Sequence, residues 1–148
     1  MPKLVPPHGS KNLKLLALNA NEALLEKKKS ETLAKVMCTS REFGDLIMFG
    51  IGGFTPLEGF MNKADWLNVC KNMALKNGTF WPIPITLSTD DDEIKEGQEV
   101  AIVYEKTKET IATMLISEKY VIDKELECKE VFKTTNTDHP GVAIVMSQ

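Results

Sequence analysis

A glycine-rich stretch is the part of this sequence that most invites a chemical interpretation. It reads GIGGFTPLEGFM over residues 50–61 and carries four glycines and one proline between two segments with helical periodicity. Glycine-rich loops bind phosphate when their backbone N–H groups point at the ligand from a helix N-terminus. The dinucleotide fingerprint needs GxGxxG after a strand, but Thr55 stands in place of the third glycine. The Walker loop needs GxxxxGK, whereas Gly53 and Gly59 have the wrong separation and no lysine follows. The spacing therefore argues against a phosphate site.

The same stretch is predicted to shape the chain instead. Gly50 is expected to end a helix, and Gly52 and Gly53 to allow a positive φ. Pro56 is expected to fix a turn, and Gly59 to allow a close backbone approach. Four apolar side chains are expected to pack the loop onto the core: Phe54, Leu57, Phe60 and Met61.

The chain offers few groups for catalysis or metal binding. Its two histidines, His8 and His139, are far apart in the sequence and form no pair with ligand spacing. Ser40 and Ser88 lack the GxSxG setting of a nucleophilic serine. The four acids at residues 90–93 are expected to form a solvated turn before Gly97 rather than a cation site. The residues by themselves therefore predict no catalytic, cofactor-binding or metal-binding site.

His139 has one neighbour that invites comparison with a catalytic pair. It lies between Asp138 and Pro140, and an aspartate can orient an imidazole ring. Adjacent residues of an extended chain point to opposite faces, however. Any role of His139 is therefore expected at an interface.

Composition narrows the class of protein. The 148 residues are 43% hydrophobic and carry a net charge of −3, which fits one globular domain over residues 1–148 and disfavours a nucleic-acid partner. No stretch approaches the roughly 20 apolar residues of a membrane-spanning helix. Cys38, Cys70 and Cys128 form no CxxC pair, and lone cysteines of this kind suit a reducing, cytoplasmic compartment.

Capping signals and apolar periodicity predict the helices. Asn21 is expected to cap a short helix through Lys29, with Leu24 and Leu25 facing inward. Thr39 and Glu42 have capping-box spacing, which predicts a second helix ending near Gly50. Asn62 is expected to cap a third, whose apolar stripe is Trp66, Val69 or Cys70, and Met73, and Asp123 is expected to cap a short fourth through Phe132.

Period-two patterns predict the strands. WPIPITL, residues 81–87, alternates apolar residues with prolines and threonine, which predicts an edge strand. Residues 33–38, 100–104 and 111–116 are further predicted strands. Helices come first and do not alternate regularly with strands, which favours an α+β fold or a small barrel over a doubly wound parallel sheet.

Four segments resemble, in order, the N-terminal region of the ATP sulfurylase (sulfate adenylyltransferase) family. PHGSKNL at residues 7–13 is similar to that family's PHGG-x-L, and FTPLEGFMN at residues 54–62 to its F-(S/T)-P-L-x-G-F-M signature. NGTFWPIPITL at residues 77–87 and TTNTDHPGV at residues 134–142 resemble its N-G-x-x-(W/F)-P-(I/V)-P and T-T-D-x-x-H-P-G-V blocks. One departure is Asn136, where the family usually has Asp.

The resemblance implies a PUA-like domain, a small mixed β-barrel with flanking helices, spanning residues 1–148. The full-length enzyme joins sulfate to the AMP part of ATP, with ATP and magnesium bound in a following nucleotidyltransferase domain. The family's catalytic segment contains RNP and histidines; this chain has no RNP, so no catalytic, cofactor-binding or metal residue is carried over. The chain is therefore expected to be inactive alone and to dock the catalytic domain or a neighbouring subunit, with ATP and sulfate reached only through that domain. A homo-oligomer of the full-length enzyme is compatible with the resemblance.

A different class of function remains open. PUA-like domains also occur as free-standing binding modules, some of them for RNA. The charge of −3 and the lack of interleaved aromatic and basic residues disfavour that alternative. An exposed apolar patch near the C-terminal tail would favour a docking role.

Overall fold

The computed structural model describes residues 4–148 and divides into two compact units. Unit 1 holds the chain up to Phe60 together with Thr89–Ser117, and unit 2 holds Met61–Ser88 together with Glu118–Gln148. The described chain from Leu4 to the start of the first helix contains no helix or strand, and we call it the N-terminal arm. Within the described residues, no helix is long and apolar enough to cross a membrane. The single domain over residues 1–148 stays a prediction.

Unit 1 is built on a mixed three-stranded sheet. Its strands are β1 (Ala34–Cys38), β2 (Glu99–Tyr104) and β3 (Thr110–Leu115), in the order β1-β2-β3. β1 runs parallel to β2, and β3 runs antiparallel to it with an irregularity between Ile102 and Val103. The central strand is buried along Val100–Val103, as expected for a strand covered on both faces. The three predicted strands are thus confirmed.

Two helices accompany this sheet. Helix α1 (Ala20–Ser30) is capped by Asn19 rather than Asn21, because Asn19 and Glu22 form a capping box. The inward orientation of Leu24 and Leu25 is wrong, since these side chains are 68% and 72% exposed.

Polar contacts join α1 to the sheet instead. Thr113 Oγ1 donates to Glu26 Oε1 at 2.7 Å, and Lys29 Nζ lies 2.5 Å from Glu99 Oε1. The next helix, α2 (Ser40–Gly50), begins with the predicted capping box of Thr39 and Glu42. The amide of Thr39 donates to Glu42 Oε2 at 2.8 Å, and the Glu42 side chain is buried.

Unit 2 contains the remaining helices. They are α3 (Lys63–Asn72), the short α4 (Lys124–Glu127) continued by a π-helical turn (Cys128–Phe132), and α5 (Pro140–Ser147). The predicted caps Asn62 and Asp123 are confirmed, since each side chain accepts a backbone N–H three residues on.

A buried hydrogen bond connects two of these helices. Trp66 Nε1 donates to Glu127 Oε2 at 2.6 Å, which gives the buried indole its polar partner. Val69 and Cys70 are buried as predicted on the same face. Met73 is not part of that face: it ends α3 in a left-handed conformation (φ 51°) and is 55% exposed.

The WPIPITL strand is a wrong prediction. The segment is extended, but Trp81–Leu87 joins no strand ladder, and only an isolated bridge between Ala74 and Phe80 precedes it. Its two prolines have no N–H to donate to a ladder, and its burial does not follow period two, since Thr86 is buried. Trp81 and Ile85 are buried, whereas Ile83 is 53% exposed.

The α+β class is confirmed. Among residues 4–148 the sheet consists of three strands, with β1 and β3 at its two edges. Closure of that sheet into a small barrel stays a prediction.

The capping box of α2 yields a stability prediction. Thr39→Ala removes the side-chain acceptor for the amide of Glu42 and is expected to lower the free energy of unfolding by about 1 kcal/mol. Thr39→Ser keeps the hydroxyl and is the matched control, expected to lose much less. Urea unfolding followed by circular dichroism measures both, and equal losses from the two variants would contradict the capping role.

Candidate interaction surfaces

The loop after α2 uses its backbone donors on the helix itself. Gly52 N donates to Phe49 O at 3.3 Å, and Gly53 N donates to Met48 O at 2.8 Å. The amide of Thr55 then donates to Gly52 O at 3.2 Å. These bonds pair carbonyls that a helix C-terminus otherwise leaves open. The same N–H groups therefore do not point at a ligand, which agrees with the argument from glycine spacing.

The glycines of this loop differ in what they do. Gly52 has the predicted positive φ of 76°, so the left-handed residue follows Gly50 by two positions. Gly53 does not adopt a positive φ, and a Cβ there would lie 2.4 Å from the methyl end of the Met48 side chain. The close approach predicted at Gly59 is wrong, since a Cβ built there has nothing within 4 Å.

Aromatic contacts hold the loop, as predicted. The Phe49 ring meets Phe54 and Phe60 edge to face, with centroids 5.2 and 5.3 Å apart. Leu57 and Met61 are buried.

The N-terminal arm runs along the end of α2. Leu16 N donates to Phe49 O at 3.2 Å, and Ala17 N donates to Gly50 O at 3.1 Å. The amide of Lys14 donates to Thr55 Oγ1 at 3.0 Å. Three hydrogen bonds donated by backbone amides thus fix the arm to the helix and its loop, although the arm has no regular secondary structure.

This docking leaves aliphatic side chains in solvent. On the arm, Leu13, Leu15, Leu16 and Leu18 are between 40% and 62% exposed. Ile47 on the last turn of α2 and Ile51, its C-cap, are 48% and 61% exposed and lie four residues apart. We call this the arm surface, defined by Leu13, Leu15, Leu16, Leu18, Ile47 and Ile51.

The TTNTDHPGV block forms the turn that starts α5. Asn136 Oδ1 accepts from Asp138 N at 3.0 Å, and Asn136 O accepts from His139 N at 3.1 Å. A carboxylate oxygen accepts the first of these bonds equally well, so the departure from the family's Asp preserves the turn. His139 is the N-cap of α5, with Nδ1 accepting from Gly141 N at 3.1 Å. This geometry gives His139 a structural task at the helix start.

Phe132 packs beneath that helix start. Its ring lies 5.0 Å from the His139 ring, and a Cβ at Gly141 would come within 2.7 Å of Phe132. Phe132 also packs on a buried cluster of Cys128, Val142 and Val145.

The outer side of α5 is apolar. Ile144 and Met146 are 49% and 40% exposed, whereas Val142 and Val145 face inward. These two exposed apolar side chains lie near the C-terminal tail, where an apolar patch would favour a docking role.

The described residues contain no cluster of three or more histidines, cysteines or acids that could hold a metal ion. His8 belongs to unit 1, beside the turn in which Ser10 N donates to Pro7 O, and His139 belongs to unit 2.

The three cysteines are buried free thiols. Burial raises the pKa of Cys38 to about 11 and that of Cys70 to about 12, and it also raises the pKa of Cys128. Thiolate is the reactive form of cysteine, so these residues belong to the core rather than to a redox or nucleophilic site.

One buried carboxylate oxygen of α2 lacks a hydrogen-bond partner. Asp45 on α2 has its Oδ2 shielded from solvent without a hydrogen-bond partner. Burial raises the pKa of Asp45, with Arg41 opposing and Glu42 adding to the shift. Sequence reasoning missed this residue, because nothing in its neighbours along the chain shows that its carboxylate is desolvated.

An open depression on α3 is lined by Ala64, Leu67, Asn68, Lys71, Asn72 and Lys76. The Asn68 amide already donates to Ala74 O and Leu75 O at 2.7 and 3.1 Å. The Asn68 side chain therefore holds the turn after α3.

Comparisons with known proteins agree on one family. The model of the PUA-like domain family matches residues 5–148. A protein named sulfate adenylyltransferase from Ruthia magnifica subsp. Calyptogena magnifica is 60% identical over the whole chain, which covers 37% of that protein. One of the same name from Thiobacillus denitrificans is 54% identical with the same coverage. The chain thus spans little more than a third of the length of these curated relatives.

A solved structure shares the fold. It is titled hexameric APS kinase from Thiobacillus denitrificans and superposes with a TM-score of 0.69 at 25% identity. The match covers 81% of this chain and 24% of that one.

Packing at the start of α5 gives a prediction that opposes helix propensity. Alanine normally stabilises a helix by about 1 kcal/mol relative to glycine. Gly141→Ala is nevertheless expected to destabilise the chain by about 1–3 kcal/mol, because the new Cβ overlaps the Phe132 ring. Gly59→Ala, with open space around it, is the control and should be nearly neutral. Thermal unfolding measures both, and a stabilised Gly141→Ala variant would contradict this packing.

Asp45 gives a pH prediction. Its pKa is raised in the folded state, so the folded chain holds more protons than the unfolded chain from about the ordinary value of 3.8 up to the raised pKa. This contribution to stability is present at low pH and is lost as the pH rises through that window. Asp45→Asn has no carboxyl group to ionise at this position. Its free energy of unfolding is therefore expected to exceed that of the unchanged chain by about 1 kcal/mol at neutral pH but by little at the acidic end.

The matched control for Asp45→Asn is Asp92→Asn, at an exposed position in the turn before β2. Urea unfolding of both variants at neutral pH and near pH 4 tests the sign. A gain from Asp45→Asn that is the same at both pH values would contradict a desolvated carboxylate.

Proposed function

Because the chain belongs to the PUA-like domain family, we propose that it is the N-terminal, non-catalytic domain of a sulfate adenylyltransferase. In the whole enzyme, sulfate takes the AMP part of ATP, which forms adenylyl sulfate and releases pyrophosphate. The observation that carries the proposal is the match along all 148 residues, at up to 60% identity, to proteins of that name. The four ordered motifs of the sequence point to the same family.

The geometry supports assigning the chemistry to another part of the enzyme. Transfer of a phosphoryl-type group requires Arg, Lys, His or metal ions that converge on the charge of the transition state. The described residues hold no metal cluster, and the backbone donors of the glycine-rich loop are paired within the chain. ATP, magnesium and sulfate are accordingly proposed to bind only through the remaining length that the relatives carry.

The proposed task of the chain is docking. The exposed Ile144 and Met146 sit on α5, and burial of such side chains against a second domain is favourable by about 25 cal/mol per Å². His139 and Gly141 set the start of that helix, so they position this surface without touching a substrate.

Three finer properties complete the proposal. The sheet of unit 1 forms part of a small PUA-like barrel. The buried, reduced thiols support a cytoplasmic location. The similar structure is titled hexameric, which supports a homo-oligomeric parent enzyme.

The competing function is a free-standing RNA-binding module. A net charge of −3 disfavours it, because phosphate contacts supply most of the affinity for nucleic acids. Salt-dependent binding of RNA at submicromolar affinity would favour this module over a docking domain.

The catalytic assay runs the reaction in reverse. The chain is incubated with adenylyl sulfate and pyrophosphate, and ATP is followed by luciferase luminescence. We expect no turnover from the chain alone. The positive control is the full-length Ruthia magnifica relative, and sustained turnover by the chain alone would overturn a non-catalytic role.

A chimera tests the domain assignment directly. The chain replaces the matching 37% of the Ruthia magnifica relative. We expect ATP formation within about tenfold of that relative, because 60% identity preserves most of the surface to be docked. A folded but inactive chimera would contradict the proposal.

A further inference from the structure

We propose that the arm surface is covered by the part of the polypeptide that the relatives carry beyond the 37% matched by this chain. The inference rests on the proposed function, since it takes this chain to be one domain of a longer enzyme. It goes further by naming the surface of unit 1 that the rest of the same polypeptide contacts. It concerns unit 1 alone and does not involve α5.

The amount of exposed apolar surface is the first argument. The six leucine and isoleucine side chains of the arm surface are each between 40% and 62% exposed. Together they expose an area on the order of several hundred Å², which is the size at which apolar patches mark interaction sites. They are contiguous rather than scattered, because hydrogen bonds join the arm to the end of α2, where Ile47 and Ile51 lie.

The arm is already ordered before anything covers it. The amides of Lys14, Leu16 and Ala17 donate to the end of α2 and its loop. A Cβ added at Gly52 would come within 3.0 Å of the Leu15 side chain, so the arm also packs closely on that loop. The conformational entropy of the arm is thus lost during folding, and an interface formed later does not bear that cost.

Charge restricts the partner to an apolar protein surface. Lys14 is the one ionisable residue in residues 13–18, and its Nζ lies 3.2 Å from Glu58 Oε1. Residues 47–56 contain no ionisable side chain. Nucleic acid and anionic lipid are attracted by basic residues, which this surface lacks apart from the paired Lys14.

Size separates the two protein partners that remain, which are the rest of the same polypeptide and a second copy. Contacts between domains of one chain bury about 600–1,500 Å² in total, which is roughly 300–750 Å² on each side. A stable complex of separate chains buries roughly 800 Å² on each partner. The several hundred Å² of the arm surface lie within the first range and below the second.

Covalent connection favours the same partner. In the two curated relatives described above, and in the similar solved structure, the match covers only 37%, 37% and 24% of a longer chain. A segment joined to this domain by a short linker has an effective concentration on the order of millimolar, so even a weak contact stays formed. A second copy at micromolar concentration leaves the surface bare, because a contact of this size between separate chains is weak and transient.

Photo-cross-linking in the chimera tests this assignment. Leu13→p-benzoylphenylalanine places a reactive ketone at a position that is 55% exposed, so folding is expected to persist, and circular dichroism checks it. After irradiation, we expect a product that keeps the mass of one chain on a denaturing gel. Mass spectrometry should find the cross-link to a peptide from the part contributed by the Ruthia magnifica relative. A product of doubled mass would overturn the proposal, because the cover would then come from another copy.

The matched control is Leu24→p-benzoylphenylalanine, at an exposed leucine of unit 1 outside the arm surface. It is expected to form no cross-link to the contributed part. Equal yields from the two positions would overturn the assignment to the arm surface.

Hydrogen exchange gives a second measurement. In the chimera, the amides of residues 13–18 are expected to exchange at least about tenfold more slowly than in the chain alone, equally at about 1 and about 50 µM. Unchanged exchange in the chimera would overturn the proposal. Protection that appears in the chain alone and grows with its concentration would also overturn it, in favour of a second copy.

Activity of the chimera separates this inference from the proposed function. An active chimera whose arm stays unprotected would refute the cover and leave the domain assignment intact. A folded but inactive chimera that still forms the single-chain cross-link would do the reverse.

Discussion

The last carbonyls of α2 are the constraint on which much of unit 1 depends. A helix leaves its final C=O groups without helical donors. Here the loop donates hydrogen bonds to these carbonyls through Gly52 N and Gly53 N. The arm donates to them through Leu16 N and Ala17 N. Phe49 O accepts from both. Satisfying one helix end thus fixes the course of the glycine-rich loop and of the arm together.

That arrangement explains how a loop resembling a phosphate site has another role. Its N–H groups close the helix, and its aromatic residues gather around Phe49, so the loop is a structural joint. In our proposal, the chemistry of the enzyme belongs to the part of the relatives that lies beyond the 37% matched by this chain. The described residues expose apolar side chains on α5 and along the arm and the end of α2.

Features that depend on neighbouring residues were predictable from the sequence. The caps Thr39, Asn62 and Asp123 were correct, because a cap and its partner amide lie within one helical turn. The apolar run of β2 was correct for the same local reason. The first cap was misplaced because Asn21 was chosen over Asn19, although only Asn19 has a glutamate three residues on. WPIPITL failed because its prolines remove the donors that pairing needs, and its burial does not follow the alternation of the sequence: Ile83 is exposed and Thr86 is buried.

The sequence by itself determined the starts of α2, α3 and α4, the buried central strand, the α+β class and the ordered motifs of the family. Each of these depends on spacing within a segment or on the order of segments along the chain. Only the tertiary structure decided that the arm pairs with the end of α2, that Trp66 donates to Glu127, and that Asp45 carries a shielded, unpaired oxygen. Those properties depend on which distant segments meet and on which polar atoms they exclude from water, and residue spacing along the chain does not encode either directly.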